Sequence, residues 1–213
     1  MAQYASYLNL VKHATKFVLE TFQPWVPVLA FFATAVLAPF FSGARGRVPA
    51  SFWALVPGLS FLVYLLNAGP VWEGEVWRTS LPWAPMIGLS WDVWVSPVGL
   101  LLALLVTGIG TLIVIYAAAY LKGSDRIGRF LGYLFLFAGA MLGMAVTENL
   151  IVLFIFWELT SITSYLLIGH FHEKLESRKS ALDALLITAG GGVAFLAGVI
   201  LLGEVTGTYV LSE

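Results

Sequence analysis

The residue best placed to do chemistry in this chain is Glu158, the only Asp, Glu, Lys or Arg in the apolar run from Leu150 to Ile168. It lies nine residues past Asn149, about 14 Å along a helix rising ~1.5 Å per residue, and so near the middle of about 30 Å of hydrocarbon. Holding a carboxylate there costs about 2.5–3.5 kcal/mol even on the lenient insertion scale, so such a group faces protein or water and marks a pathway. Ser161 and Tyr165 recur on its helical face at i+3 and i+7, and Thr160, Thr163 and Ser164 add hydroxyls nearby. Together they could orient a carboxyl or carry a short water chain. Burial disfavours the ionised form and a nearby lysine restores it, so a movable cation could switch the protonation of Glu158. The competing reading is a neutral carboxyl that joins helices and is otherwise inert.

Other polar residues give weaker signals. His170 and His172 end the same apolar run, and an H-x-H pair can relay protons or bind metal. On a helix, however, positions i and i+2 diverge, and no third ligand of suitable spacing accompanies them, so no metal site is expected. Glu148 stands in the three-residue turn Thr147, Glu148, Asn149, where a solvated turn residue is favoured over a proton exit. Glu173, Lys174, Glu176, Arg178 and Lys179 read as a solvated loop. There is no G-x-G-x-x-G after a strand, no P-loop, no H-E-x-x-H and no G-x-S-x-G. No cofactor and no bond-making chemistry are therefore expected of this chain alone. It contains no cysteine, which removes thiolate-held zinc, iron–sulfur ligation and disulfides.

The elements that must position Glu158 are apolar helices. Of the 213 residues, 60% are hydrophobic and 11% charged, with a net charge of −1. Too much apolar surface is present for a soluble domain to bury, and no basic cluster offers a footprint for nucleic acid. Apolar runs long enough to approach a membrane crossing are expected from about Trp25 to Phe41, Pro49 to Leu66, Pro97 to Leu121, Phe130 to Val146, Leu150 to His170 and Ala181 to Gly203. The fold expected is an all-α bundle of six transmembrane helices over residues 23–213. Ser96 followed by Pro97 is an N-cap with a residue already fixed at helical φ, which starts the third run. Ser180 and Asp183 stand in capping-box spacing and place the start of the sixth. Residues 1–22 put Tyr4, Tyr7, Leu8, Val11 and Val18 on one face and Asn9, Lys12, Lys16 and Glu20 elsewhere, the pattern of an amphipathic interfacial helix.

Small residues are expected to mark helix contacts, because lipid supplies no hydrophobic drive between helices. Gly139 and Gly143 form a GxxxG pair, and Gly190, Gly191 and Gly192 line the sixth run. Orientation follows the lysines and arginines. The loops after the first, third and fifth runs hold Arg45, Arg47, Lys122, Arg126, Arg129, Lys174, Arg178 and Lys179, against Lys12, Lys16 and Arg78 on the other side. That asymmetry places the former loops in the cytoplasm of a multi-pass cell-membrane protein and both termini outside. The loop around Trp72, Trp77, Trp83 and Trp91 then suits an outer aromatic belt.

From about Pro24 onward the sequence resembles the opening part of the A subunit of Mrp-type multisubunit sodium/proton antiporters, and less closely the antiporter-like subunits of respiratory complex I. The blocks that carry the resemblance are Thr107 to Tyr116 (TGIGTLIVIY), Phe137 to Gly143 (FAGAMLG) and above all Phe156 to Gly169 (FWELTSITSYLLIG). Ser177-Arg178, Ala181 and Leu186 to Gly198 (LITAGGGVAFLAG) follow in order. The resemblance implies that Glu158 is the carboxylate of a proton or cation channel and pairs with a lysine on a broken seventh helix, a helix this sequence does not reach. It further implies that other membrane subunits are partners, that one of them supplies that lysine, and that sodium ions and protons are the cargo. Ser96 stands where related sequences commonly carry an aspartate, and residues 1–22 have no counterpart in the family pattern. Two other readings remain open on these residues: a docking subunit that transports nothing, and a proton-pumping subunit of a complex I-like or membrane-bound hydrogenase-like complex.

Overall fold

The computed structural model describes residues 23–42, 48–84, 86 and 89–212. The interfacial helix expected over residues 1–22, and Arg45 and Arg47, lie outside the described residues.

Helix α1 spans Val26–Phe41 and carries a proline at its start, where the missing N–H costs nothing. A 3-10 turn, Ala50–Ala54, leads into α2, Leu55–Leu66, and a short α3, Ala68–Trp72, follows. The long apolar helices are α4, Pro97–Tyr120; α5, Ile127–Val146; α6, Leu150–Ile168; and α7, Leu175–Thr206. A 3-10 turn, Gly169–Phe171, extends α6. Among the described residues, four helical segments are long and apolar enough to cross a membrane; Val26–Phe41 and Ala50–Leu66 are shorter apolar helices.

Two helix starts follow directly from local chemistry. The Ser96 hydroxyl accepts the Gly99 N–H at 3.0 Å at the start of α4, and Asn149 Oδ1 accepts the N–H groups of Ile151 and Val152 at the start of α6. Each satisfies backbone donors that would otherwise be orphaned. The expected start at Ser180 is corrected. Helix α7 begins at Leu175, with Lys174 as its N-cap residue, so Ser180 and Asp183 are interior positions and form no capping box. Its first turn is held instead by Ser177, whose hydroxyl donates to Ile168 O at 2.6 Å. A helix of 32 residues is about 48 Å long, more than the ~30 Å of hydrocarbon, so its charged first turns protrude from an apolar layer. Gly207, at φ 78°, ends it in the left-handed region.

The aromatic loop also departs from an all-helical plan. Strands β1, Arg78–Ala84, and β2, Leu89–Trp94, form an antiparallel hairpin pairing Arg78 with Trp94 and Ser80 with Asp92. Trp, Val and Thr favour a pleated surface, and Pro82 is tolerated because a two-stranded hairpin has only edge strands. Trp77 is buried against Tyr64, whereas Trp72 is exposed.

The bundle is sewn by close backbone approach. Beta-carbons built on Gly128 and Gly132 of α5 would lie 3.0 Å from Pro39 O and 2.8 Å from Pro39 Cγ of α1. One built on Gly139 would lie 3.0 Å from Phe31 Cβ, and one on Gly143 would run into the Phe156 ring of α6. These four glycines of α5 therefore seat α1 on one side and α6 on the other. Successive helices alternate in direction. At one end Tyr64 Oη donates to Pro24 O, Glu148 N–H to Asp92 O and Leu150 N–H to Tyr209 O; at the other, Trp53 Nε1 donates to Ser42 Oγ and Arg126 pairs with Glu173.

Candidate functional site

Helix α6 carries Glu158 into its contact with α7. The carboxylate lies against Gly192, where a β-carbon would overlap Glu158 Oε1. That oxygen is buried with no hydrogen-bond partner, and none of the ion pairs among the described residues includes Glu158. Glycine at 192 thus makes the space in which Oε1 of the half-buried Glu158 lies between two helices.

The hydroxyls expected to orient it have other partners. Thr160 and Ser161 both donate to Trp157 O, at 2.7 and 3.3 Å. Thr163 donates to Leu159 O at 2.7 Å, and Ser164 to Ser161 O at 2.9 Å. Ser and Thr in apolar helices commonly bond back to the preceding turn, and with no water to compete they do so here. None donates to the Glu158 carboxyl. Their lone pairs remain free to accept, which suits a water or a protonated carboxyl as donor.

Two turns further, Tyr165 lines a pocket of about 250 Å³ together with Arg129, Tyr133, His170, His172 and Arg178. His170 is buried, edge-on to Phe130 and Phe171 with ring centres 5.1 and 5.0 Å away. Neither of its ring nitrogens has a hydrogen-bond partner. His172 is exposed, with Nε2 at 3.6 Å from Glu173 Oε1. The two histidines therefore part, one inward and one outward. Glu173 is held below the ordinary carboxylate range, first by its own backbone N–H and then by the Arg126 guanidinium. Among the described residues no three His, Asp or Glu side chains are grouped to hold a metal.

Glu148 is not a solvated turn residue. It is one of the most completely buried side chains, and Arg78 donates to both of its carboxylate oxygens. Arg78 also reaches Ser212 Oγ at 2.7 Å and stacks over Trp94 with the guanidinium carbon 5.4 Å from the ring centre. Beside it, the buried Asp92 accepts from the hydroxyls of Ser80 and Ser90. This cluster locks the hairpin onto the α5–α6 turn. It joins residues 70 positions apart, which no local pattern announces.

Of the three glycines expected to pack α7, Gly192 alone meets a neighbour. Beta-carbons on Gly190 and Gly191 would have nothing within 4 Å. That expectation is corrected for the described residues: Gly190 and Gly191 face open space there, because α7 lies at the edge of the described bundle and buries only Ala181, Gly192, Val199 and Gly203.

Residues 147–213 match the family model described as NADH:quinone oxidoreductase/Mrp antiporter, and residues 83–131 match that of complex I chain 5, N-terminus. The chain is 40% identical over 180 residues to the A subunit of the Na(+)/H(+) antiporter of Alkalihalophilus pseudofirmus, covering 84% of this chain and 22% of that one. It is 42% identical over 147 residues to the A1 subunit of the Na(+)/H(+) antiporter of Staphylococcus haemolyticus, covering 69% of this chain and 18% of the relative. It therefore spans about a fifth of the length of the curated relatives it matches. The fold superposes on the Mrp complex of Dietzia sp. with a TM-score of 0.78 at 25% identity, covering 90% of this chain and 20% of that one. For respiratory complex I of Thermus thermophilus the TM-score is 0.69 at 24% identity, covering 88% and 38%, a likeness of fold alone. The chain is thus homologous to the A subunit of Mrp-type sodium/proton antiporters and related to the antiporter-like subunits of complex I.

Proposed function

We propose that residues 23–213 form one six-helix membrane unit of a multisubunit sodium/proton antiporter, in which Glu158 binds the exchanged proton. The observation that carries this reading is the buried, unpartnered Oε1 of Glu158 opposite Gly192. In hydrocarbon the neutral carboxyl is the stable form, and a cation brought close favours the ionised one. That cation is a lysine supplied by polypeptide outside this sequence; its approach releases the proton and its withdrawal allows uptake. Tyr165 and the pocket with His170 and His172 lie on the route between Glu158 and one membrane face. Lys122, Arg126, Arg129, Lys174, Arg178 and Lys179 gather at that end, which we assign to the cytoplasm of the cell membrane, with both termini outside. Glu158→Gln keeps the shape and removes the titrating group. Sodium-driven proton movement in everted membrane vesicles should fall to the background of vesicles lacking the complex, while the variant still co-purifies with its companions. Normal exchange by Glu158→Gln overturns the role.

A scaffold reading draws on one observation, that the four serine and threonine hydroxyls beside Glu158 donate to their own helix. It requires Glu158→Gln to be silent and bulky replacement of Gly139 or Gly143 to disrupt assembly.

A further inference from the structure

The pocket where α5, α6 and α7 meet is lined by two arginines and two histidines. Its polar lining is Arg129, Tyr133, Tyr165, His170, His172 and Arg178, with no carboxylate among the lining residues. Glu173, the nearby acid, is already paired with Arg126. Arg129 and Arg178 are exposed and take part in none of the ion pairs among the described residues, and both nitrogens of the buried His170 are unsatisfied. A buried imidazole with neither nitrogen bonded is costly and calls for a polar partner from the adjoining pocket. At about 250 Å³ the space is several times a water molecule's share of about 30 Å³. Exposed Ile168 and Phe171 adjoin the lining residues Gly169, His170 and His172 in sequence, the Phe171 ring lies edge-on to His170, and exposed Leu175 stands about one helical turn before Arg178, which sets an apolar shoulder of side chains beside a cationic cup.

We infer that this pocket binds a phosphate oxyanion, that of an anionic phospholipid headgroup whose acyl chains lie along Ile168, Phe171 and Leu175. The guanidiniums of Arg129 and Arg178 take the phosphate oxygens, while the phenols and a His170 nitrogen donate from the pocket wall. The apolar shoulder favours a lipid over a free ion, since a free phosphate has nothing to lay there. Basic pockets between membrane helices on the cytoplasmic side suit such headgroups. The inference uses the membrane placement of the chain but not the role of Glu158.

The test reads binding without transport, so its failure leaves the Glu158 assignment untouched. The chain in its membrane complex is placed in nanodiscs of mixed phosphatidylglycerol and phosphatidylcholine, re-extracted in mild detergent, and its retained lipids are counted by native mass spectrometry. Phosphatidylglycerol should be retained over phosphatidylcholine by about thirtyfold, the factor two such cations supply. The double variant Arg129→Gln, Arg178→Gln should lose that preference, and Lys179→Gln, outside the pocket, should keep it. Should the double variant not assemble, Arg178→Gln alone decides: a preference reduced about fivefold by one lost cation supports the site, and an unchanged one overturns it. Equal retention of the two lipids by the unaltered chain overturns it as well. A parallel arm in phosphatidylcholine alone with inorganic phosphate separates the sources: a phosphate adduct that vanishes in the double variant, without any phosphatidylglycerol preference, refutes the lipid assignment.

Discussion

At the residue scale, the proposed exchange turns on what little space surrounds one carboxylate. Glu158 stands between α6 and α7 only because Gly192 has no side chain to fill the gap. Gly192→Ala should displace the carboxylate and cost about 1–3 kcal/mol as an overpacked contact, seen as lower thermal stability together with impaired exchange. Gly191→Ala, one position away but facing open space, should be neutral or stabilise the helix by up to ~1 kcal/mol; equal damage from both would refute the geometry. At the other end of α6, Arg78→Gln leaves Glu148 buried without its cation. Arg78 is 42% exposed and its charge is screened by solvent, so we expect a loss of about 1–3 kcal/mol rather than the figure for a fully buried pair, checked by thermal unfolding in detergent. The place of Glu158 in the middle of α6 was readable from spacing alone, since Asn149 caps the helix nine residues before it. The burial of Glu148 was not, because its partner Arg78 lies in a separate hairpin and carries no periodic signature.

At the element scale, α5 is the hub. Its glycines at 128, 132, 139 and 143 let α1 and α6 approach, replacing the hydrophobic drive that lipid does not provide. Gly143→Val should prevent α6 from docking on the Phe156 ring, and Phe156→Ala in the same chain should restore part of the loss. A double-mutant cycle on assembled complex in detergent measures that coupling, and additive losses would contradict direct contact. The sequence announced α4 through Ser96 and Pro97, and the α5–α6 turn through its shortness. It did not announce the β1–β2 hairpin, whose short aromatic strands resemble an interfacial loop when only helix-length runs are sought. The start of α7 was misplaced for a different reason: Ser180 and Asp183 have capping-box spacing, but polar residues that protrude from an apolar layer can remain helical, and the true first turn is held by Ser177 on Ile168.

At the scale of the whole molecule, positive charge collects at one end of the bundle and the hairpin with its buried Arg78–Glu148 pair closes the other. The chain contains no cysteine, so single cysteines report sidedness cleanly. Glu75→Cys, on the hairpin side, should react with an impermeant maleimide added outside intact cells, and Lys122→Cys only after the membrane is opened; the reverse pattern would invert the orientation. The central claim is that Glu158 changes protonation during exchange, and infrared difference spectroscopy of the complex in lipid reads this directly. Adding sodium should remove a protonated-carboxyl C=O band from the unaltered complex, and that band should be missing from the Glu158→Gln spectrum. A sodium-induced carboxyl band that persists unchanged in Glu158→Gln would contradict the account.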